Sequence, residues 1–217
     1  MIEAKFRLVI LISGRGSNLQ AIINANRKGQ FDVDIVAVIS NRLDAAGLKI
    51  AQSAGIATQI IDHTQFPTRD DFDQALMQAI ETLQPDLIVL AGFMRILGEE
   101  FVNHFDGKLI NIHPSLLPKY QGLNTHQRVL DNHESIHGAS IHYVNNELDG
   151  GPVVLQVKVD VLPNDTADTL ADRVLEQEHA LYCQVIQWAA EKRLHLQQEN
   201  IFFDGKKLTQ PLLMKAR

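Results

Sequence analysis

The chain has 217 residues, 45% of them hydrophobic and 21% charged, which is enough for one substantial core and ordinary for a globular protein. Its net charge of −6 argues against nucleic acid as principal partner, because neutralising phosphates requires a basic face. A single cysteine, Cys183, excludes a disulfide framework, the opening Met1-Ile2-Glu3-Ala4-Lys5-Phe6 lacks the plan of a signal peptide, and no apolar run approaches the ~20 residues of a membrane span. A cytoplasmic chain with no membrane partner is the expectation.

Apolar runs at Phe6–Ile12, Ile35–Ile39, Leu87–Ala91 and Leu109–Ile112 read as strands buried on both faces of a parallel sheet. Helical patterns lie between them. Ser17 is placed to cap a helix running to about Lys28, and Asp44 to cap Ala45–Ala54, with Gly29 and Gly55 beyond their ends. Thr68 can cap a third, which carries Phe72, Leu76, Ala79, Ile80 and Leu83 on one face. This alternation predicts an α/β fold with a doubly wound, mainly parallel sheet. After Pro118 the pattern changes: Ser140–Val144 and Val153–Val161 read as antiparallel strands, Thr166–Lys192 as one long helix, and Leu196–Leu208 as a hairpin turning at Asp204-Gly205. With no repeat or linker, residues 1–217 are expected to form one domain with halves at 1–110 and 111–217.

The strand at Leu109 runs into Asn111-Ile112-His113-Pro114-Ser115-Leu116-Leu117-Pro118. Side chains two apart share a strand face, so Asn111 and His113 point together, and Pro114 ends the ladder and leaves both at the strand's carboxyl end. Open α/β sheets bind ligands at such ends. An amide beside an imidazole suits a reaction in which oxygen gains negative charge. The first strand opens into Ser13-Gly14-Arg15-Gly16-Ser17-Asn18-Leu19. Backbone N–H groups there suit one phosphate of a small substrate, or the stretch is simply a tight turn into the helix. It is not a dinucleotide fingerprint, since Leu19 occupies the third small position and the second strand closes on Ser40-Asn41-Arg42 without an acid.

Asp149-Gly150-Gly151-Pro152 reads either as a turn or as the carboxylate partner of a working histidine. Glu178 falls on the apolar stripe Ala171, Val174, Leu181, Val185 and Trp188, where a carboxylate needs a ligand or a structural hydrogen bond. His133 and His137 have a helical zinc spacing but sit in what reads as a solvated helix end with no third ligand, so no metal is expected. His126 and His142 carry no local signature, and Cys183 reads as packing.

Together the Asn111–Pro118 segment, Asp149-Gly150-Gly151-Pro152 and Gly14-x-Gly16-Ser17-Asn18-Leu19 resemble the folate-dependent formyltransferases, in particular those acting on glycinamide ribonucleotide. Ala91–Leu97, Pro118-Lys119-Tyr120 and Gln177-Glu178-His179 extend the likeness over nearly the whole chain. The resemblance implies a Rossmann-like fold and transfer of a formyl group from 10-formyltetrahydrofolate, the co-substrate, to the amine of glycinamide ribonucleotide in purine (IMP) biosynthesis. It implies Asn111, His113 and Asp149 as catalytic residues, and Gly16, Ser17, Asn18 and Glu178 as ribonucleotide contacts. Arg69, Met94, Arg95, Ile96, Leu97, Asn111, Asn145, Asn146, Glu147, Leu148 and Asp149 are implied to hold folate. On this likeness the first half carries the ribonucleotide and the second carries catalysis and folate. Gln121 stands where relatives often have proline, and Leu175 where they often have a polar residue. A nicotinamide oxidoreductase, a tRNA formyltransferase, a formyltetrahydrofolate hydrolase and a non-catalytic binding module are the rival readings. The acidic balance counts against RNA, and a hydrolase would typically carry a regulatory domain ahead of the first strand.

Overall fold

A computed structural model describes residues 4–216; the segment Met1-Ile2-Glu3, part of the stretch read for a signal peptide, lies outside the described residues, as does Arg217. The fold is mixed α/β, with a mainly parallel sheet and a separate small antiparallel one. Two compact units succeed one another, the first ending at Ile110 and the second beginning at Asn111.

In the first unit, β1 (Phe6–Ile12), β2 (Val33–Ser40), β3 (Thr58–Ile60) and β4 (Leu87–Leu90) stand in the order β4-β1-β2-β3. All three pairings are parallel. Leu8 to Ile12 have no exposure at all, as expected of a central strand covered on both faces. Each such side chain contributes roughly 1.5–3 kcal/mol of burial. The helices are α1 (Ser17–Arg27), α2 (Ala46–Ser53), α3 (Arg69–Leu83) and α4 (Glu99–His104), with a 3-10 turn at His63–Gln65. Thr68 caps α3 by accepting from the Asp71 N–H at 3.1 Å, as the sequence predicts. Two expected caps are corrected. Ser17 is the first helical residue and Gly16 the cap, because the chain enters α1 with φ 81°, a conformation suited to glycine. Asp44 does not cap α2: its carboxylate is held by Arg42 at 3.0 and 2.9 Å, and Ala45 takes the cap position.

In the second unit the order is β11-β7-β6-β5, formed by β5 (Leu109–His113), β6 (Ile136–Tyr143), β7 (Val153–Asp160) and β11 (Leu212–Met214). β6 and β7 are antiparallel, as expected, while the unforeseen β11 joins β7 in parallel. α5 (Thr125–Asp131) precedes β6, and α6 (Ala167–Ala190) follows β7. Thr166 and Thr169 form a reciprocal capping box at the start of α6. The tail is a three-stranded meander of β8 (Leu194–Gln197), β9 (Asn200–Phe203) and β10 (Lys206–Lys207). Asp204-Gly205 turns it as expected, but Gln198-Glu199 makes an earlier turn that the hairpin reading omitted. Trp188 is only half-buried; it leaves the α6 core stripe and packs on Phe203 at 4.7 Å between ring centroids. Ala171 is likewise half-buried. Cys183 is buried.

Candidate active site

β5 delivers Asn111 and His113 to its carboxyl end, Asn111 half-buried and His113 buried. The corner after Pro114 is held from below by two side chains. Ser140 donates to the Ser115 carbonyl at 2.6 Å and accepts from the Leu117 N–H at 3.0 Å. Gln156 donates to Ser140 Oγ at 2.8 Å and to the Leu117 carbonyl at 2.9 Å.

Asp149 is brought to this strand end from the loop after β6. Its Oδ2 lies 3.3 Å from His113 Nδ1 and accepts the Gly122 N–H at 2.9 Å. His113 Nε2 donates to the Tyr120 carbonyl at 2.8 Å. Both ring nitrogens thus face oxygen acceptors, an arrangement that only the imidazolium satisfies with two donors. The side chains of His113 and Asp149 are 7% and 10% exposed, so water screens this pair little. Asp149 adopts φ 50°, uncommon for a residue with a Cβ, and its contacts hold it there. Gly151 explains the glycines that follow, since a Cβ there would meet the Tyr143 carbonyl oxygen.

His142, which carries no signature in the sequence, is the residue that sequence reasoning missed. Burial lowers its pKa, an effect that outweighs its bond to the Tyr143 carbonyl and the charge of Asp149, so it stays neutral. Nδ1–H donates to the Tyr143 carbonyl at 2.9 Å, which leaves the Nε2 lone pair to accept from Asn111 Nδ2 at 3.4 Å. That contact orients the Asn111 amide. A register shift in the β6–β7 pairing falls between Ile141 and His142, the type of irregularity that re-aims a side chain. The available signal was the alternation Ser140, His142 beside a strand bearing Asn111, useful only once β5 and β6 are known to be neighbours.

The reading of His133 and His137 as one solvated helix end is corrected. α5 ends at Asp131, His133 lies in the exposed turn beyond it, and His137 is a buried residue of β6. His137 Nε2 instead lies 3.1 Å from His126 Nδ1. Burial, then the neighbouring His126 and His113, pushes His137 down to about 4, and burial also lowers His126. Among the described residues no group of three or more His, Cys, Asp or Glu could hold a metal ion.

Glu178 is buried on α6, one turn before the buried Tyr182, whose hydroxyl is bonded to the backbone of Ile112. Burial and the Glu178 charge raise the Tyr182 pKa. Leu175 is half-buried on the same helix. In the loop after β6, Glu147 N–H bonds Asn145 Oδ1 at 3.1 Å, Asn146 is exposed, and Leu148 is 59% exposed.

In the first unit, Gly16, Ser17 and Asn18 form the entry to α1. A Cβ on Gly16 would lie 2.7 Å from the Gly47 Cα, so this glycine is also demanded by helix packing. After β4, Met94 N–H bonds Ser13 Oγ at 2.8 Å, and Met94 and Ile96 are 76% and 64% exposed. Arg95 stacks over Phe72 at 5.2 Å and Leu97 is half-buried. Arg69 begins α3, with its guanidinium 3.6 Å from Asp70.

Residues 6–186 match the formyl transferase family, and the chain belongs to that family. Within it, the chain is 50% identical to a phosphoribosylglycinamide formyltransferase of Escherichia coli, over 93% of this chain and 95% of that protein. It is 45% identical to the Haemophilus influenzae protein of the same name, over 93% and 95%. The solved phosphoribosylglycinamide formyltransferase from Coxiella burnetii superposes with a TM-score of 0.91 at 51% identity, covering 96% of this chain and all (100%) of that one. The formyltransferase fold and activity class expected from the sequence therefore stand.

Proposed function

We propose that the chain transfers the formyl group of 10-formyltetrahydrofolate to the primary amine of glycinamide ribonucleotide, a step of purine biosynthesis, in the cytoplasm. The observation that carries this reading is the convergence of Asn111, His113 and Asp149 in a family member alike along its length to enzymes named for that reaction. The substrate amine attacks the formyl carbon, and the carbonyl oxygen becomes anionic in the tetrahedral intermediate. The second N–H of Asn111 and the His113 ring are the donors for that oxygen. His113 Nε2–H donates to the Tyr120 carbonyl, and this donor is shared with the substrate oxygen as charge develops there. The Asp149 carboxylate holds the ring through Nδ1 and accepts, through water, the proton that the attacking nitrogen loses. The N10–formyl bond then breaks, N10 takes up a proton, and tetrahydrofolate departs. Every proton has a protein or water carrier, so the step is written without a metal ion.

The ribonucleotide phosphate is assigned to Gly16, Ser17 and Asn18, where the amino terminus of the eleven-residue α1 offers N–H groups and the positive end of its dipole. Glu178 is assigned to the rest of the ribonucleotide. Folate is assigned to Arg69, Met94, Arg95, Ile96, Leu97, Asn111 and the Asn145–Asp149 loop. Met94 and Ile96 of the first unit are exposed and apolar, as is Leu148 of the second, and each is suited to contact with an apolar ring. Residues 1–217 act as one domain in this reading. No helix among the described residues is long and apolar enough to cross a membrane, and both partners are small molecules. The test follows tetrahydrofolate release by absorbance, with and without glycinamide ribonucleotide. Release that needs the ribonucleotide supports the transferase; equal release without it indicates a hydrolase, and none in either case a binding module.

A further inference from the structure

Three consecutive residues, Tyr120, Gln121 and Gly122, hold the His113–Asp149 pair from one side. The Tyr120 carbonyl takes His113 Nε2–H at 2.8 Å, Gln121 Nε2 donates to the Asp149 carbonyl at 3.2 Å, and Gly122 N–H donates to Asp149 Oδ2 at 2.9 Å. One clip therefore fixes the imidazole ring and both the backbone and the carboxylate of Asp149. It is not intrinsically stable, since Tyr120 has φ 59° and Asn124 has φ 56°, both left-handed and uncommon for residues bearing a Cβ. Such a segment keeps its shape only when its surroundings over-determine it.

Arg128 of α5 supplies much of that restraint. Its Nη1 donates to the Gln121 carbonyl at 2.6 Å and to the Leu123 carbonyl at 3.3 Å, and its guanidinium lies 5.3 Å from the centre of the Tyr120 ring. The far end of Tyr120 is tied separately, its hydroxyl donating to Glu134 at 3.0 Å and accepting from Asn132 at 3.0 Å. Arg128 makes no contact with His113 or Asp149 in these bonds; it grips the loop that does. A planar guanidinium makes these bonds while its flat face lies against the ring, a stacking that a lysine ammonium lacks.

We propose that Arg128 is a positioning residue for the His113–Asp149 pair, acting through Tyr120-Gln121-Gly122. This rests on the reading that the pair serves formyl transfer. Loosening the clip lets imidazole and carboxylate drift apart, and misplacement on the ångström scale is costly to turnover. The experiment measures kcat and both KM values for Arg128→Ala, Arg128→Lys and Gln121→Ala, with His113 ring nitrogen shifts by NMR. Arg128→Ala should lower kcat roughly tenfold with both KM values within about twofold. Arg128→Lys should recover part of that loss, and the His113 shifts should move. An unchanged kcat, a loss confined to KM, or lower thermal stability with full turnover per folded molecule would overturn the proposal. If Arg128→Ala does not fold, Gln121→Ala decides, because among the described residues its side chain hydrogen-bonds only the Asp149 carbonyl, and full turnover there overturns the clip. His113→Ala separates the two readings: if it retains turnover, the catalytic assignment fails, whatever Arg128 does.

Discussion

Replacing Asp149 by Asn removes a charge while preserving size, and the consequences follow from three distances. The carboxylate oxygen lies 3.3 Å from His113 Nδ1, 2.9 Å from the Gly122 nitrogen, and its companion 3.9 Å from His142 Nε2. The amide oxygen of Asn can still accept from Gly122, which turns its NH2 group toward His113. Nε2–H of His113 stays on the Tyr120 carbonyl, so Nδ1 becomes an acceptor and the ring neutral. At an effective dielectric near 20, unit charges at this separation attract by about 5 kcal/mol, an upper bound for a pair at the edge of solvent. A loss of 3–5 kcal/mol of transition-state stabilisation corresponds to a fall in turnover of roughly 10²–10⁴. Ribonucleotide affinity should change little, and thermal unfolding only modestly, because the Gly122 bond survives. The assay is kcat from tetrahydrofolate release, accompanied by ring nitrogen NMR to identify the neutral Nε2–H tautomer. A variant with native turnover and unchanged ring shifts would show that Asp149 merely shapes its loop.

His113→Ala should fold normally, because Ser140 and Gln156 hold the Pro114 corner independently, and lose turnover by about 10²–10⁴; near-native turnover in a folded variant refutes its role. Gly16 is a poor probe of phosphate binding, since valine there collides with Gly47, so Gly16→Val should mainly depress the melting temperature. Gly14 has open space around its Cβ position, and Gly14→Val should fold and raise the ribonucleotide KM while leaving that for folate; the reverse pattern by calorimetry would exchange the two subsites. His137, held neutral to about pH 4, makes stability fall on acidification. The unfolded chain takes up its proton near pH 6.5 and the native one only near 4, so stability declines across that window and levels below it, by at most about 3 kcal/mol. Urea titrations at pH 7 and 5 should show a smaller difference for His137→Asn than for the native protein, and an equal difference would show that other groups carry the acid sensitivity.

Local geometry made much of this protein legible from sequence. The near-continuous apolar run Phe6–Ile12 is a central strand buried from Leu8 to Ile12, Thr68 caps its helix, the stretch from Thr166 is one long helix, and Asp204-Gly205 turns because both residues take positive φ readily. Asn111 and His113 were readable too, since strand alternation and Pro114 fix their shared face and their place at a strand end. Other features depended on partners remote in the chain. Asp44 follows a helix-cap rule until Arg42 captures it, and Ser17 yields the cap because Gly16 must pack against Gly47. β3 and β11 are three-residue edges, too short to display a period, and exist because β2 and β7 offer them unpaired backbone. His142 and the His126–His137 pair had no spacing to reveal them; strand register and burial gave them neutral rings and partners. Asp149 shows the division most plainly. Sequence leaves it balanced between turn and carboxylate partner, and its role depends on a loop 27 positions away whose Gly122 N–H reaches its oxygen. Periodicity and turn chemistry act over a few residues, whereas a charged pair in low dielectric is made by whatever the fold brings within 4 Å, and that only tertiary structure decides.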